Sequence, residues 1–170
     1  MKKATPPSQS AEDDRTTSTG LARYAFEYIQ AARLVDEDAE KRLTPRATSP
    51  IPAYFLAYHG IELSLKAYLR HRGLSPRALA SKAYGHDLHS CYRKAKELGL
   101  LTVFKEHPDD KQALSLLADL NVNHGLRYIK TGAKVFPSWS IVDPLAVRLH
   151  QAVAPLVGFH SFTHSYPAYA

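Results

Sequence analysis

Residues 121–128, Asn-Val-Asn-His-Gly-Leu-Arg-Tyr, place polar side chains where the apolar stripe of a predicted helix should continue. In a helix, Arg127 would lie one turn beyond both Asn123 and His124. A guanidinium can bind a phosphate or stabilise an oxyanion, and an imidazole can transfer a proton near neutral pH. Asn123, His124, Arg127 and Tyr128 are therefore candidate ligand-binding residues, and His124 with Arg127 is the candidate catalytic pair.

The same stretch also fits a purely structural interpretation. Asn121 and His124 could be hydrogen-bonded polar residues of the core, and Arg127 could pair with an acid such as Glu62. Phosphate or RNA binding, catalysis and structural pairing all remain open at this point.

A second polar line runs along the helix predicted for residues 51–71. His59, Glu62 and Lys66 recur at spacings of three and four within an otherwise apolar surface, so a buried Glu62 would need a cationic or hydrogen-bonding partner. His59 and Glu62 could form half of a carboxylate-bridged metal site, but the sequence lacks a second Glu-x-x-His element. We therefore expect hydrogen bonding within the bundle or across a dimer, and no metal.

The remaining histidines and the single cysteine suggest no other catalytic centre. His86 with His89, and His160 with His164, have the spacing of zinc pairs, but further ligands are missing. We expect His86 to hydrogen-bond around its own turn. Cys91 cannot form an internal disulfide and is expected to be a buried thiol. Walker, dinucleotide-binding and zinc-finger motifs are absent, and no cofactor is predicted.

Basic residues are concentrated in the middle of the chain. The formal net charge is +6, and residues 44–82 carry six basic side chains against the single acid Glu62. This surplus could bind phosphates or could complement helix ends and solvate a loop. Arg70 and Arg72 join the candidate ligand-binding set. Most of the ten tyrosines lie on apolar stripes, so we expect core packing with a wet hydroxyl edge more often than base stacking.

The elements that must position these residues are helical. The chain has 170 residues, of which 45% are hydrophobic, which suits one domain. We expect a disordered tail over residues 1–19 and a helical domain over 20–165. Apolar spacings predict an all-α, antiparallel bundle of four to five helices. Their expected ranges are Leu21–Arg42, Ile51–His71, Leu88–Leu98 capped by Asp87, Pro108–Tyr128, and Asp143–His160 with a kink at Pro155, plus a short helical turn after Ser75.

No apolar run approaches the roughly 20 residues that a membrane span needs. The start of the sequence, MKKATPPSQSAEDD, has no apolar stretch that could act as a signal peptide. We therefore expect a cytoplasmic protein with no membrane association.

Two segments carry a family resemblance, residues 57–69 (AYHGIELSLKAYL) and 85–88 (GHDL). Together with residues 126–129 (LRYI), they resemble the HEPN family. That resemblance implies a helical bundle, frequent dimerisation and, in many members, metal-independent RNA cleavage by an arginine followed four to six residues later by a histidine. Here Thr131, Gly132, Ala133 and Lys134 stand where that histidine should fall, so the resemblance favours a non-catalytic member.

The residues and the resemblance together predict a HEPN-like, homodimeric module that binds RNA or a nucleotide, and the resemblance points to a defence or toxin–antitoxin system. Arg127, Tyr128, His124 and part of the cluster from Arg70 to Lys82 would line one cleft. The alternatives are a diverged metal-independent ribonuclease or toxin that uses His124 and Arg127, and an interaction bundle that docks an antitoxin or nucleotidyltransferase partner.

Arg127→Ala tests the first interpretation. Because a phosphate contact carries no sequence information, the variant should bind RNA more weakly across sequences while keeping its helical content. Filter-binding titrations at low salt measure the affinity, and circular dichroism checks the fold. An unchanged affinity removes Arg127 from the binding site.

Overall fold

The computed structural model describes residues 15–42, 50–122, 125–126 and 132–163. These residues form helices without any strand, which confirms the predicted all-α bundle. Two short 3-10 helices, Leu100–Thr102 and Ala154–Val157, accompany the α-helices. Within these described segments the six α-helices are α1 (Ser18–Arg42), α2 (Ile51–His71), α3 (Pro76–Ala80), α4 (Leu88–Glu97), α5 (Asp110–Leu120) and α6 (Trp139–Val153).

α1 and α2 form a closely packed antiparallel pair. Near the middle of the pair, a Cβ added at Gly60 would lie 2.5 Å from Ile29 Cγ1 and 3.2 Å from the Ala25 carbonyl oxygen. Near one end, Arg70 Nε donates to the Thr16 carbonyl at 3.2 Å. A side chain at position 60 would therefore overlap the Ile29 side chain and crowd the α1 backbone at Ala25, so glycine allows the two helices to approach this closely.

α6 packs antiparallel to α1 and completes a three-helix core. Arg33 Nε lies 3.1 Å from Asp143 Oδ1 at one end, and His150 Nε2 lies 2.9 Å from the Ala22 carbonyl at the other. The core between these helices is apolar. Its largest fully buried side chains include Ile29, Ile61, Leu65, Leu145 and Leu149.

His150 is fully buried and fastens the segment after α6 to this core. Because the Ala22 carbonyl can only accept, Nε2 carries the proton, and Nδ1 accepts from the Ser161 hydroxyl at 2.6 Å. The rings of Phe26, Phe159 and Phe162 surround the imidazole. Burial lowers the pKa of His150, although its bond to Ala22 opposes the shift, so folding favours the neutral ring.

α4 and α5 form a second, antiparallel pair, of which α4 packs against another side of α2. The Tyr58 hydroxyl donates to the His86 carbonyl at 2.8 Å, and the Tyr68 hydroxyl donates to the Leu98 carbonyl at 2.9 Å. At the start of α5, buried Asp110 accepts from Arg148 of α6 at 2.6 Å. Both α6 and α2 therefore hold this outer pair in place.

Local signals predicted α2 and α4 well. α2 spans Ile51–His71 as expected, and Gly73, at φ 97°, ends it. The Leu74 N–H donates to the Leu69 carbonyl and the Gly73 N–H to the Arg70 carbonyl, which is a Schellman motif. Asp87 caps α4 by accepting from the Ser90 N–H at 3.0 Å. The short turn expected after Ser75 is α3.

The first helix begins earlier than expected, at Ser18 instead of Leu21. Thr17 Oγ1 accepts from the Gly20 N–H at 3.0 Å and so caps the helix. Thr19 also donates to the Val157 carbonyl at 2.6 Å. Tertiary contacts thus order part of the segment predicted as a tail, of which residues 1–14 lie outside the described part of the chain.

The fourth predicted helix, Pro108–Tyr128, is too long, because α5 covers only Asp110–Leu120. The Asn121 N–H is shared between the Leu117 and Ala118 carbonyls, which is typical of a helix end. The chain then turns so closely that a Cβ on Gly125 would lie 2.6 Å from the Leu120 carbonyl oxygen. Asn121 therefore ends the helix.

The last predicted helix, Asp143–His160, is shifted. α6 begins at Trp139 and ends at Val153, and the chain tightens into the 3-10 helix Ala154–Val157. Pro155 cannot donate a hydrogen bond to the residue four before it, and its ring would crowd that carbonyl. The predicted kink is therefore an end of the α-helix. None of the helices in the described segments is both long and apolar enough to span a membrane.

A double-mutant cycle on Gly60 and Ile29 tests the close contact of α1 and α2. Gly60→Ala should destabilise the protein by about 1–3 kcal/mol because the new methyl group overpacks the interface. In an Ile29→Ala background, which removes the contacted atoms, the same change should cost much less. Urea unfolding measures both differences. Equal costs in the two backgrounds would contradict the described packing.

Candidate functional site

Glu62 is a buried carboxylate on α2, with only 1% of its surface exposed. Lys66 Nζ donates to its Oε1 at 2.5 Å. Two imidazoles flank it, since His86 Nδ1 lies 3.5 Å from Oε1 and His59 Nδ1 lies 3.6 Å from Oε2. Within the described residues Oε2 has no hydrogen bond. The polar side chains predicted along α2 therefore join His86 in a cluster of cationic and hydrogen-bonding groups around Glu62.

The charge of Glu62 is stabilised in the folded chain. Burial alone would raise its pKa, but the nearby His59 imidazole and the charge and hydrogen bond of Lys66 outweigh that effect. The pKa of Glu62 consequently lies below its ordinary value, and the residue is a carboxylate at neutral pH.

The same polar line holds the loop between α3 and α4. Lys66 Nζ donates to the Gly85 carbonyl at 2.6 Å in addition to binding Glu62. The Tyr58 hydroxyl holds the next carbonyl, that of His86. Burial raises the pKa of Tyr58, so its hydroxyl stays protonated and donates. Residues 57–69 and 85–88, which carry the HEPN resemblance, are thus in direct contact.

An open groove of about 700 Å³ lies where this loop meets the end of α5. Its volume is within the range of small-molecule sites. We call it the α4–α5 groove, and its lining includes Lys82, Gly85, His86, His89, Asp119 and Asn121.

The groove combines cationic and hydrogen-bonding groups. Lys82 and His89 are exposed, and the His86 side chain is 49% exposed. The Asp87 carboxylate is engaged by the backbone N–H and hydroxyl of Ser90, and the bonds to Ser90 hold its pKa low in spite of partial burial. Lys82 and the imidazoles can therefore meet a phosphate, while Asp119 and Asn121 can accept hydrogen bonds from a base edge.

The predicted ligand-binding residues occupy different places. His59 packs between Tyr28 and Phe55 beside Glu62, away from the groove lining. Arg70 uses its guanidinium on the Thr16 and Leu74 carbonyls. Arg72 is exposed beyond the end of α2. Asn123, His124, Arg127 and Tyr128 lie outside the described residues, as does His164. Of the predicted basic cluster, Lys82 lines the groove.

Sequence reasoning missed the role of His86. Its Nδ1 lies 3.5 Å from Glu62 Oε1, and the two residues come from segments far apart in the chain. The available signal was indirect, because a buried acid in an apolar stripe requires partners, and only His59 and Lys66 stood at helical spacing from it. His89 drew attention only as a zinc ligand.

The tyrosines of the core and Cys91 have the structural roles that the sequence predicts, which are core packing for the tyrosines and a buried thiol for Cys91. Tyr54, Tyr58, Tyr68 and Tyr92 are buried, and their hydroxyls are hydrogen-bonded. Cys91 is buried, and its thiol donates to the Tyr84 carbonyl at 3.3 Å. Burial raises the pKa of Cys91 to about 12, so it is no nucleophile at neutral pH.

In the described segments, no three His, Cys, Asp or Glu side chains are arranged to hold a metal ion. Comparisons with protein-family models, curated proteins and solved structures gave no match for this chain. The HEPN resemblance therefore stays a prediction from the residues that carry it.

Glu62→Gln should destabilise the protein at pH 7 by about 3 kcal/mol, because it leaves the charge of Lys66 buried without a counter-charge. The folded pKa of Glu62 lies below its ordinary value of 4.5. Its stabilisation is therefore complete above that pH and is lost as the pH falls through the folded pKa. Urea unfolding at several pH values should show the difference from wild type shrinking in acid.

Glu27→Gln is the matched control, because Glu27 pairs with Arg23 on an exposed face of α1. Its loss should change stability little. Similar effects of the two substitutions would show that the Glu62 cluster does not stabilise the fold.

Proposed function

We propose that this chain is a HEPN-like module that binds RNA or a nucleotide in the α4–α5 groove. The observation that carries the proposal is the meeting of Lys82, His86 and His89 around one groove of about 700 Å³. Lys82 and the imidazoles bind phosphate oxygens, and Asn121 and Asp119 at the other side bind the donor groups of a base.

The surroundings of the groove support this assignment. The Glu62 and Lys66 pair and the Tyr58 hydroxyl hold successive carbonyls of the loop that carries His86. A binding loop held in this way loses little conformational freedom when a ligand arrives. The overall charge of +6 adds a long-range attraction for polyanions.

A second candidate function, self-association, is favoured by a neighbouring depression of about 430 Å³. Leu116, Leu120 and Val135 line it together with Lys134, and Val135 is 71% exposed. A second copy of the chain could cover these apolar side chains, as the homodimer predicted from the HEPN resemblance requires. A partner antitoxin or nucleotidyltransferase, a defence role and a cytoplasmic location rest on the sequence alone.

Lys82→Ala tests the binding proposal, with Lys111→Ala as control because Lys111 is exposed on α5 outside the groove lining. Loss of a phosphate contact should weaken binding of a short single-stranded RNA several-fold and reduce the slope of log K against log salt by about 0.7. Fluorescence anisotropy across a salt series measures both quantities.

Lys111→Ala should leave affinity and slope near the wild-type values. An equal loss in the two variants would place the RNA elsewhere, and no wild-type binding at low salt would end the proposal. An apolar contact between copies responds little to salt, so the same titration separates the two candidate functions.

A further inference from the structure

Two hydrogen-bonding side chains at the end of α5 line the α4–α5 groove. Asp119 stands in the last turn of α5, and Asn121 is the residue that ends the helix. Lys82 and His89 line the same groove from the loop before α4 and from the start of that helix. The groove therefore combines cationic groups with a carboxylate and an amide, and a nucleotide offers partners for both kinds of group.

The carboxylate of Asp119 lies where it weakens the helix instead of stabilising it. α5 ends at Leu120, and a negative charge in its last turn is opposed by the partial negative charge of the helix end. No basic residue of that turn compensates for this charge. Asp119 is exposed and lines the groove, so its two oxygens can accept hydrogen bonds from a ligand. Binding of donor groups would account for an acid at this position.

The amide of Asn121 is oriented by a neighbouring hydroxyl. Its side chain is hydrogen-bonded to Tyr58, whose hydroxyl donates its only hydrogen to the His86 carbonyl at 2.8 Å. The Tyr58 oxygen can therefore only accept from Asn121, which turns the Nδ2 group towards it. The amide keeps one further N–H for a ligand. Because Tyr58 is buried, this orientation is set before a ligand arrives.

Guanine is the base whose edge matches these groups. Its Watson–Crick edge presents one acceptor, O6, followed by two adjacent donors, N1–H and the N2 amino group. The two oxygens of a carboxylate can accept from both donors at once, and the remaining N–H of Asn121 can donate to O6. Adenine, cytosine and uracil each present a single donor group beside an acceptor. With these bases, one carboxylate oxygen would face a lone pair, which is unfavourable.

We propose that the α4–α5 groove selects guanine and that Asp119 determines this specificity. The proposal rests on the proposed function, because a phosphate attached to the guanosine must meet Lys82 and His89. Ala118 and Val122 line the groove beside Asp119 and provide apolar contacts for the face of the base. The ligand is an unpaired guanine within RNA or a free guanine nucleotide, since both carry these groups.

The first experiment compares short uridine strands whose central nucleotide is guanosine, inosine, adenosine or uridine. Fluorescence anisotropy with the wild-type full chain at low salt gives each affinity. The guanosine strand should bind about 10-fold more tightly than the adenosine and uridine strands, as expected for one bidentate contact to a base. Inosine lacks the N2 amino group, so its strand should have an intermediate affinity. Equal affinities for the guanosine and adenosine strands would overturn the proposal.

Asp119→Asn tests the assigned residue. Because one amide oxygen cannot accept from both donors, the variant should lose the preference for guanosine and should no longer distinguish it from inosine. Its affinity for the uridine strand should stay equal or rise, since the substitution removes a negative charge near the phosphates. A retained preference for guanosine excludes Asp119 as the specificity residue. Equal weakening of all strands would indicate a structural role and also contradict the proposal.

Asp109→Asn is the matched control. Asp109 precedes α5, is exposed beside His107 and lies outside the groove lining. The variant should keep the wild-type preference for guanosine, because it changes the net charge by the same amount without touching the groove. Loss of the preference in both variants would attribute it to the charge of the protein and not to Asp119.

Competition with guanosine and adenosine monophosphates distinguishes the two sources of the base. Displacement of the labelled guanosine strand by GMP near the Kd of that strand would identify a free nucleotide as the ligand. Displacement only at far higher concentrations, but still ahead of AMP, would identify an unpaired guanine within RNA. GMP that competes no better than AMP would contradict the proposal.

The failure of this inference is distinguishable from that of the proposed function. Binding of all strands with equal affinity would overturn the guanine specificity and leave the proposed function standing. The absence of binding to any strand at low salt would overturn both.

Discussion

A single charge buried in the middle of α2 governs the architecture around the groove. A carboxylate inside a helical bundle costs several kcal/mol unless opposite charge and hydrogen bonds surround it. Glu62 meets this requirement with Lys66 from its own helix, His59 on one side and His86 on the other. Because His86 belongs to the loop before α4, the need to surround Glu62 also holds that loop against α2.

The three-helix core gives that cluster a rigid base. α1 lies so close to α2 that a side chain at position 60 would overlap Ile29, and α6 is fastened to α1 by ion pairing and by the buried His150. The outer pair, α4 and α5, is then attached through polar contacts of Tyr58, Tyr68 and Asp110. The groove opens where the loop before α4 meets the end of α5. Its two walls therefore come from elements that different contacts hold in place.

Much of the fold was readable from local signals. The apolar stripe of α2 and the Asp87 cap are both encoded within a few residues, and each appears as predicted. The end of α5 was misjudged because the helical spacing was extended through His124 to Tyr128, whereas Asn121 and the close turn at Gly125 stop the helix. A turn that depends on close backbone contact is hard to predict from the spacing of apolar side chains.

The candidate site was less accessible to prediction. His59, Glu62 and Lys66 were recognised because they share a helix face, but the contact between Glu62 and His86 depends on how α4 packs against α2. Lys82 was visible as a charge, and its position in the groove follows from the course of the loop. Residues that share no secondary-structure element reveal their proximity only after the bundle is assembled.

The tight seating of Gly60 has a consequence for how this protein tolerates change. Gly60 lies two residues before Glu62 in the chain, so a substitution that pushes α2 away from α1 also shifts the acid relative to His86, which belongs to the loop before α4. Changes where α1 and α2 meet, at Ala25 or Ile29 for example, can therefore alter the Glu62 cluster without being part of it.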